Sequence, residues 1–119
     1  MFTIAIILAV LVAITAPPPS LAAQSATGQV TWYEPGLGAC GETNTKQDQV
    51  VAVSSAHFDG LKPCNRKIRV SHKGHALDVR VVDRCPGCGD DDLDLSPSAF
   101  EQVIGQLNVG RATASWEWI

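Results

Sequence analysis

The chain has no Gly-rich phosphate loop, no dinucleotide fingerprint, no basic helix and no aromatic pattern of the RNA-binding kind. Nucleotide and nucleic-acid chemistry therefore have no foothold in it. Positive charge is scarce, with 9 Lys and Arg against 12 Asp and Glu and a net charge of −3. The one mildly basic run, Lys62, Arg66, Lys67 and Arg69, alternates with Ile68 and Val70, as a solvated strand face does. No apolar run reaches the ~20 residues that cross a bilayer as a helix. No repeat or low-complexity tract recurs, and 119 residues allow a single domain.

The longest apolar stretch runs from Phe2 to Ala16 and carries no charge, not even the Lys or Arg that usually precedes such a run. Pro17-Pro18-Pro19 stops any helix, and Ser20-Leu21-Ala22-Ala23 supplies small residues where a signal peptidase needs them. Residues 1–23 are expected to be a signal peptide and residues 24–119 the mature domain. The protein is then secreted, without membrane contact after cleavage.

Cysteine usage agrees with export. Cys40, Cys64, Cys85 and Cys88 all follow the leader, and an even count permits two bridges in three connectivities. Zinc would ask for a second Cys-x-x-Cys or a His pair near the first, and His57, His72 and His75 are not so spaced. Redox work would place Cys-x-x-Cys at a helix N-terminus, whereas an Asp-rich loop follows Cys88. Structural disulfides are the reading, with no metal and no cofactor.

The mature chain is mostly of period two. Gly28–Tyr33, Gln49–Val53, Leu93–Leu95 and Ala112–Ile119 read as strands, and Lys67–Ser71 pairs with Ala76–Asp83 across Lys73-Gly74. His72 and His75 flank that turn and read as exposed. Residues 54–57 allow one helical turn. Ser96 caps a helix expected over Pro97–Gln106, with Phe100, Val103, Ile104 and Leu107 on one face. Trp116 and Trp118 share one side of the last strand. Many short strands, one main helix and Gly/Pro loops indicate a small, mainly β barrel.

The richest segment is Val82–Phe100. Asp83 ends a strand, a Cys-Pro-Gly-Cys loop follows, and Asp94 sits in a short strand before the capped helix. Two carboxylates brought towards one surface can do acid/base chemistry or hold hydroxyl groups. Asp90, Asp91 and Asp92 between them read as a solvated loop.

Thr31-Trp32-Tyr33, Gly38-Ala39-Cys40-Gly41, His57-Phe58-Asp59, Val81-Val82-Asp83 and Leu93-Asp94-Leu95-Ser96 occur in this order. Together they resemble the double-psi β-barrel of expansins, loosenins, barwin and bacterial rare lipoprotein A, over residues 28–119. The small single-domain fungal group that includes loosenins is the nearest in length and loop chemistry. The resemblance implies a six-stranded double-psi barrel, and by analogy with barwin and expansins it implies Cys40–Cys64 and Cys85–Cys88 bridges.

It also implies roles. Asp94 and Asp83 are the catalytic candidates, with Thr31, Trp32, Tyr33, His57 and Asp59 binding substrate. In related inverting glycoside hydrolases an aspartate at the Asp94 position is the general acid, and a second carboxylate from the first-strand loop activates water. Here that second position is Pro35, and the adjacent Glu34 is offset by one residue on an extended segment, which turns it to the other side. The resemblance thus implies a monomeric, non-hydrolytic, cell-wall-loosening protein that binds cellulose, chitin or a related glycan. The rare lipoprotein A likeness implies an alternative, a lytic transglycosylase acting on peptidoglycan, which needs no attacking water. A carbohydrate-binding defence or host-directed protein is the third reading. No oxidative cofactor site supports the riboflavin-oxidising label of some relatives.

Overall fold

In a computed structural model of the protein, residues 3–13 and 25–119 are described. The expected cleavage site near Ala23 lies outside them. Among the described residues, no helix is long and apolar enough to cross a membrane.

Six strands close into one barrel in the order β1-β5-β2-β4-β3-β6: β1 (Ser25–Trp32), β2 (Val50–Ser54), β3 (Lys67–His72), β4 (His75–Cys85), β5 (Leu93–Leu95) and β6 (Ala112–Trp118). Pairs β1–β5 and β2–β4 are parallel, and the other four are antiparallel. Closure leaves no free sheet edge, which removes the template for edge-to-edge association. Alternate residues point inward, as the period of two dictates. Val30, Val51, Val53, Ile68, Val70 and Val81 are buried completely. The barrel expected from the sequence is therefore the barrel found, with two α-helices and one 3-10 turn beside it.

Helix α2 (Pro97–Val103) covers the core with Ala99, Phe100 and Val103. Phe100 has no exposed surface, and burying such a side chain stabilises the fold by about 2–3 kcal/mol. Ser96 accepts a hydrogen bond from the Ala99 N–H, and Pro97 fills the first helical position. The helix ends three residues before the expected Gln106. Gly105 adopts φ of 144° there, outside helical space, and Leu107–Val109 continues as the 3-10 turn.

Helix α1 (Ser55–Leu61) is seven residues rather than one turn. Asp59 and Gly60 are weak helix formers, yet Ser54 caps the start, and Lys62, left-handed at φ 46°, closes the end on the Phe58 carbonyl. The β3–β4 hairpin turns on Lys73 and Gly74, both at positive φ, as a two-residue primed turn requires.

The register slips once. Val51 pairs with Val81, but the next residue, Ala52, pairs with Asp83, so Val82 is an extra residue in β4. Without that bulge, alternation would put Asp83 on the core face beside Val81. With it, Asp83 faces outward with Ala52. Val82 is itself buried, covered by the Gly38–Cys40 loop, whose Cys40 N–H donates to the Val82 carbonyl at 3.2 Å. A Cβ on Gly38 would lie 2.4 Å from that carbonyl oxygen, so glycine is required by close approach.

Cys40–Cys64 and Cys85–Cys88 are both bridged, the pairing the resemblance implied. The first spans 24 residues, a loop whose closure stabilises by roughly 3 kcal/mol in chain-entropy terms.

Candidate functional site

The bulge, the short β5 and the end of β1 converge on one row. Ala52 of β2 pairs with Asp83 of β4 on one side and with Asp94 of β5 on the other, and Asp94 pairs with Thr31 of β1. Registered neighbours share a face. Asp83, Ala52, Asp94 and Thr31 therefore stand side by side, with the two aspartates two strand spacings, roughly 9–10 Å, apart at the backbone. Ala52 contributes only a methyl group between them.

Asp94 is half-buried and accepts a hydrogen bond from Thr31 Oγ1 at 3.0 Å. Its pKa is raised above the ordinary 3.8, first by burial and then by the charge of Asp83, against an opposing effect of the Thr31 bond. Asp83 is held at Oδ1 by the Ala39 N–H at 2.9 Å and the Arg84 N–H at 2.8 Å. Tyr33 stands near both carboxylates. Burial and then their charges push its phenol pKa upward. Its buried hydroxyl lies beside the Asp83 carboxylate, without full hydrogen-bond geometry among the described residues.

A cavity of about 260 Å³ opens over the Asp94–Thr31 end of this row, lined also by Gln29, Asp92, Arg111 and the Cys85–Cys88 loop. The loop is anchored rather than free. Asp92, read from the sequence as solvated, accepts from the Gln29 N–H at 2.8 Å and the Gly89 N–H at 3.1 Å. The Asp90 carbonyl accepts from Ser54 Oγ, and the Asp91 carbonyl from Trp116 Nε1. Gly28 lies so close to Asp91 that a Cβ would stand 2.1 Å from its carbonyl oxygen. Asp90 alone of the three keeps an exposed carboxylate with no side-chain partner among the described residues.

The other sequence candidates fall elsewhere. Trp32 is on the opposite side of β1 from Thr31 and Tyr33, as alternation requires. Its indole donates to the Leu107 carbonyl at 2.9 Å, and it lines a separate depression with Glu34, Lys46 and Glu101. Glu34 thus turns away from Asp94, as its offset predicts. His57 does not line the Asp94 cavity. Its Nε2 lies 3.1 Å from Asp91 Oδ1, and its ring meets Trp116 and Trp118 edge-on at centroid distances of 5.3 and 6.0 Å. Asp59 forms a two-pronged pair with Arg84, both bonds 2.9 Å, beside Ala39 and Lys62. That pair places Asp59 next to the Asp83 end of the row, with its carboxylate already engaged.

Sequence reasoning did not single out Arg111 or Ala52. Arg111 is a lone arginine after Gly110 with no motif around it, and Ala52 is one of several small residues in an apolar strand. Only the barrel register brings either to the aspartates. Among the described residues, no three His, Cys, Asp or Glu side chains gather as metal ligands.

Residues 25–115 match the sequence model of the family described as lytic transglycolase. The papain inhibitor of Streptomyces mobaraensis is 33% identical over 88 residues, covering 67% of this chain and 62% of that protein. The Allergen Asp f 7 homolog of Arthroderma benhamiae is 30% identical over 91 residues, covering 72% of this chain and 32% of that one. The chain thus spans between about a third and three fifths of these relatives. Among solved structures, Streptomyces papain inhibitor superposes with a TM-score of 0.73 at 28% identity, covering 83% of this chain and 97% of that one. A Clavibacter michiganensis expansin mutant in complex with cellohexaose gives 0.72 at 28% identity, covering 80% and 50%.

Proposed function

The chain belongs to the double-psi β-barrel family described as lytic transglycolase, and from that premise we propose that it is a secreted, expansin-like protein whose Asp94 groove binds a polysaccharide chain and loosens it without hydrolysis. The observation that carries this reading is the row Asp83–Ala52–Asp94–Thr31, with an open cavity over its Asp94–Thr31 end. Such a row presents two carboxylates and a hydroxyl, with the Tyr33 phenol close to both carboxylates, and these groups suit sugar hydroxyls. Asp94, whose pKa burial raises, keeps a proton to higher pH than an ordinary aspartate and can offer it to a glycosidic oxygen. Inverting hydrolysis also needs a water-activating carboxylate. Pro35 stands where the related hydrolases carry it, and Glu34 faces the Trp32 depression. Hydrogen bonds from this row to a chain's hydroxyls compete with that chain's contacts to its neighbours, and without a water-activating carboxylate its glycosidic bonds stay whole. The expansin solved with cellohexaose supports a β-glucan as the ligand class.

A second reading has a specific support in the family description: lytic cleavage, in which the sugar's own hydroxyl attacks and closes an anhydro ring. Asp94 would give its proton to the leaving glycosidic oxygen and its carboxylate would take up the proton of the attacking hydroxyl, so no water is needed.

The test is to incubate the protein from residue 24 onward with cellulose, chitin and peptidoglycan. Binding, reducing ends and anhydro-sugar products are followed together. Binding with neither product is expected. Anhydro products replace loosening by transglycosylation, and reducing ends without them restore hydrolysis. Failure to bind all three removes the glycan reading and leaves a protein-directed role, for which inhibition of a papain-type protease is the first assay. N-terminal sequencing of the exported protein is expected to begin at Ala23 or Gln24.

A further inference from the structure

The chain has five arginines, and four are engaged. Arg69 pairs with Asp78, Arg80 with Glu42 and Arg84 with Asp59, while Arg66 lies 4.6 Å over the Trp118 ring. Arg111 has no carboxylate within ion-pair distance and no hydrogen-bonded acceptor among the described residues. Among the described residues it is also the one cation on the wall of the Asp94 cavity. Its backbone is held in a tight turn, with Gly110 at φ 74° and the Arg111 N–H donating to the Val109 carbonyl at 2.8 Å. The guanidinium is thus carried by a fixed corner at the entry to β6.

Its acidic neighbours are occupied. Asp92 spends both oxygens on backbone N–H groups, and Asp94 accepts from Thr31. Gln29 directs its amide N–H to Thr113 Oγ1 at 2.8 Å, which leaves its carbonyl oxygen as an acceptor at the cavity wall. A planar guanidinium with no partner fits a carboxylate through two parallel N–H bonds.

We infer that Arg111 is a specificity subsite for a carboxylate-bearing sugar, so that the groove prefers glycans with uronate-type residues over neutral ones. This rests on the glycan-groove reading above. A neutral chain satisfies Asp94, Thr31 and Tyr33 but leaves Arg111 with water. A chain carrying a carboxylate beside the sugar at Asp94 engages all four.

The probes are cellohexaose and a β-1,4-linked glucuronic acid hexamer, which share one backbone and differ in the carboxylate on each ring. Binding is measured by calorimetry at neutral pH and low salt, with wild type, Arg111→Gln and Arg111→Lys. Wild type is expected to bind the acidic hexamer about tenfold more tightly, and added salt should erase the advantage. Arg111→Gln should lose that preference with little change for cellohexaose, and Arg111→Lys should keep only part of it, because an ammonium lacks the fork. Because Arg111 is exposed, both variants should melt as wild type does. Equal binding of the two hexamers by wild type, or equal weakening of both by Arg111→Gln, overturns the inference while the groove reading stands. Binding of neither hexamer overturns the inference, and the groove reading then falls only if cellulose, chitin and peptidoglycan are also not bound.

Discussion

Asp94 keeps its proton longer than an ordinary aspartate because it is half-buried and shares its row with Asp83. A carboxyl with a raised folded pKa costs nothing while protonated and burdens the fold once pH rises through that value. Asp94→Asn removes that burden, since the amide is neutral and keeps the shape. It should therefore melt no lower than wild type at neutral pH, as differential scanning calorimetry would show, while loosening of cellulose or chitin collapses. Asp83→Asn should lose part of the activity, because one amide orientation still accepts from Ala39 and Arg84. Asp90→Asn should lose none. An Asp94→Asn protein that melts normally and loosens as wild type does removes Asp94 from the mechanism.

Among the elements, the β4 bulge decides whether there is a site. Deleting Val82 would leave Asp83 directly after Val81 and still facing outward by strict alternation, but would remove the carbonyl that accepts from the Cys40 N–H. That deletion is expected to lower the urea midpoint while leaving Asp83 in its row. Val82→Ala, which keeps the extra residue, should fold with about 1–2 kcal/mol less stability in urea unfolding. This bulge was illegible in the sequence. Val79, Val81 and Asp83 follow one alternation there, and nothing local marks Val82 as the residue out of step. By contrast, Ser96-Pro97, Lys73-Gly74 and Leu93-Asp94-Leu95 were legible because cap, turn and strand chemistry act over a few residues. So was the turning away of Trp32 and Glu34 from Thr31, which needs only the period of two. The His57–Asp91 and Asp92–Gln29 contacts join residues 34 and 63 positions apart. They depend on strand order, which local patterns do not carry.

For the molecule as a whole, two sets of carboxylates titrate in opposite senses. Glu42, Asp48, Asp59 and Asp78 have pKa values held below their ordinary 3.8 to 4.5, Asp48 chiefly by the Thr45 N–H and the others by arginine partners. Their contribution is full above those ordinary values and fades as pH falls through the lowered ones. Asp94 takes up its proton above 3.8. A window of pH follows in which Asp94 holds its proton more than an ordinary aspartate does while the paired carboxylates keep their charge. Loosening should rise as pH falls from neutral into that window, with an unchanged circular dichroism spectrum, and Asp94→Asn should show no such rise. A wild-type profile that is flat with pH contradicts the acid role. The closure of the barrel has a different consequence. Ser25 pairs with Glu117, and β1 runs antiparallel to β6 from there to the Val30–Ala112 pair. The two extremities of the barrel are therefore side by side, and the order in which its strands are synthesised is open to rewriting. Joining Ile119 to Ser25 through a short Gly/Ser linker and opening the chain between Lys73 and Gly74 gives a permutant that retains every strand pairing. It should fold and keep both disulfides, at some loss in melting temperature. Because its ends then lie at an exposed hairpin instead of beside β6, such a rewired barrel could be tethered to a surface from a new direction.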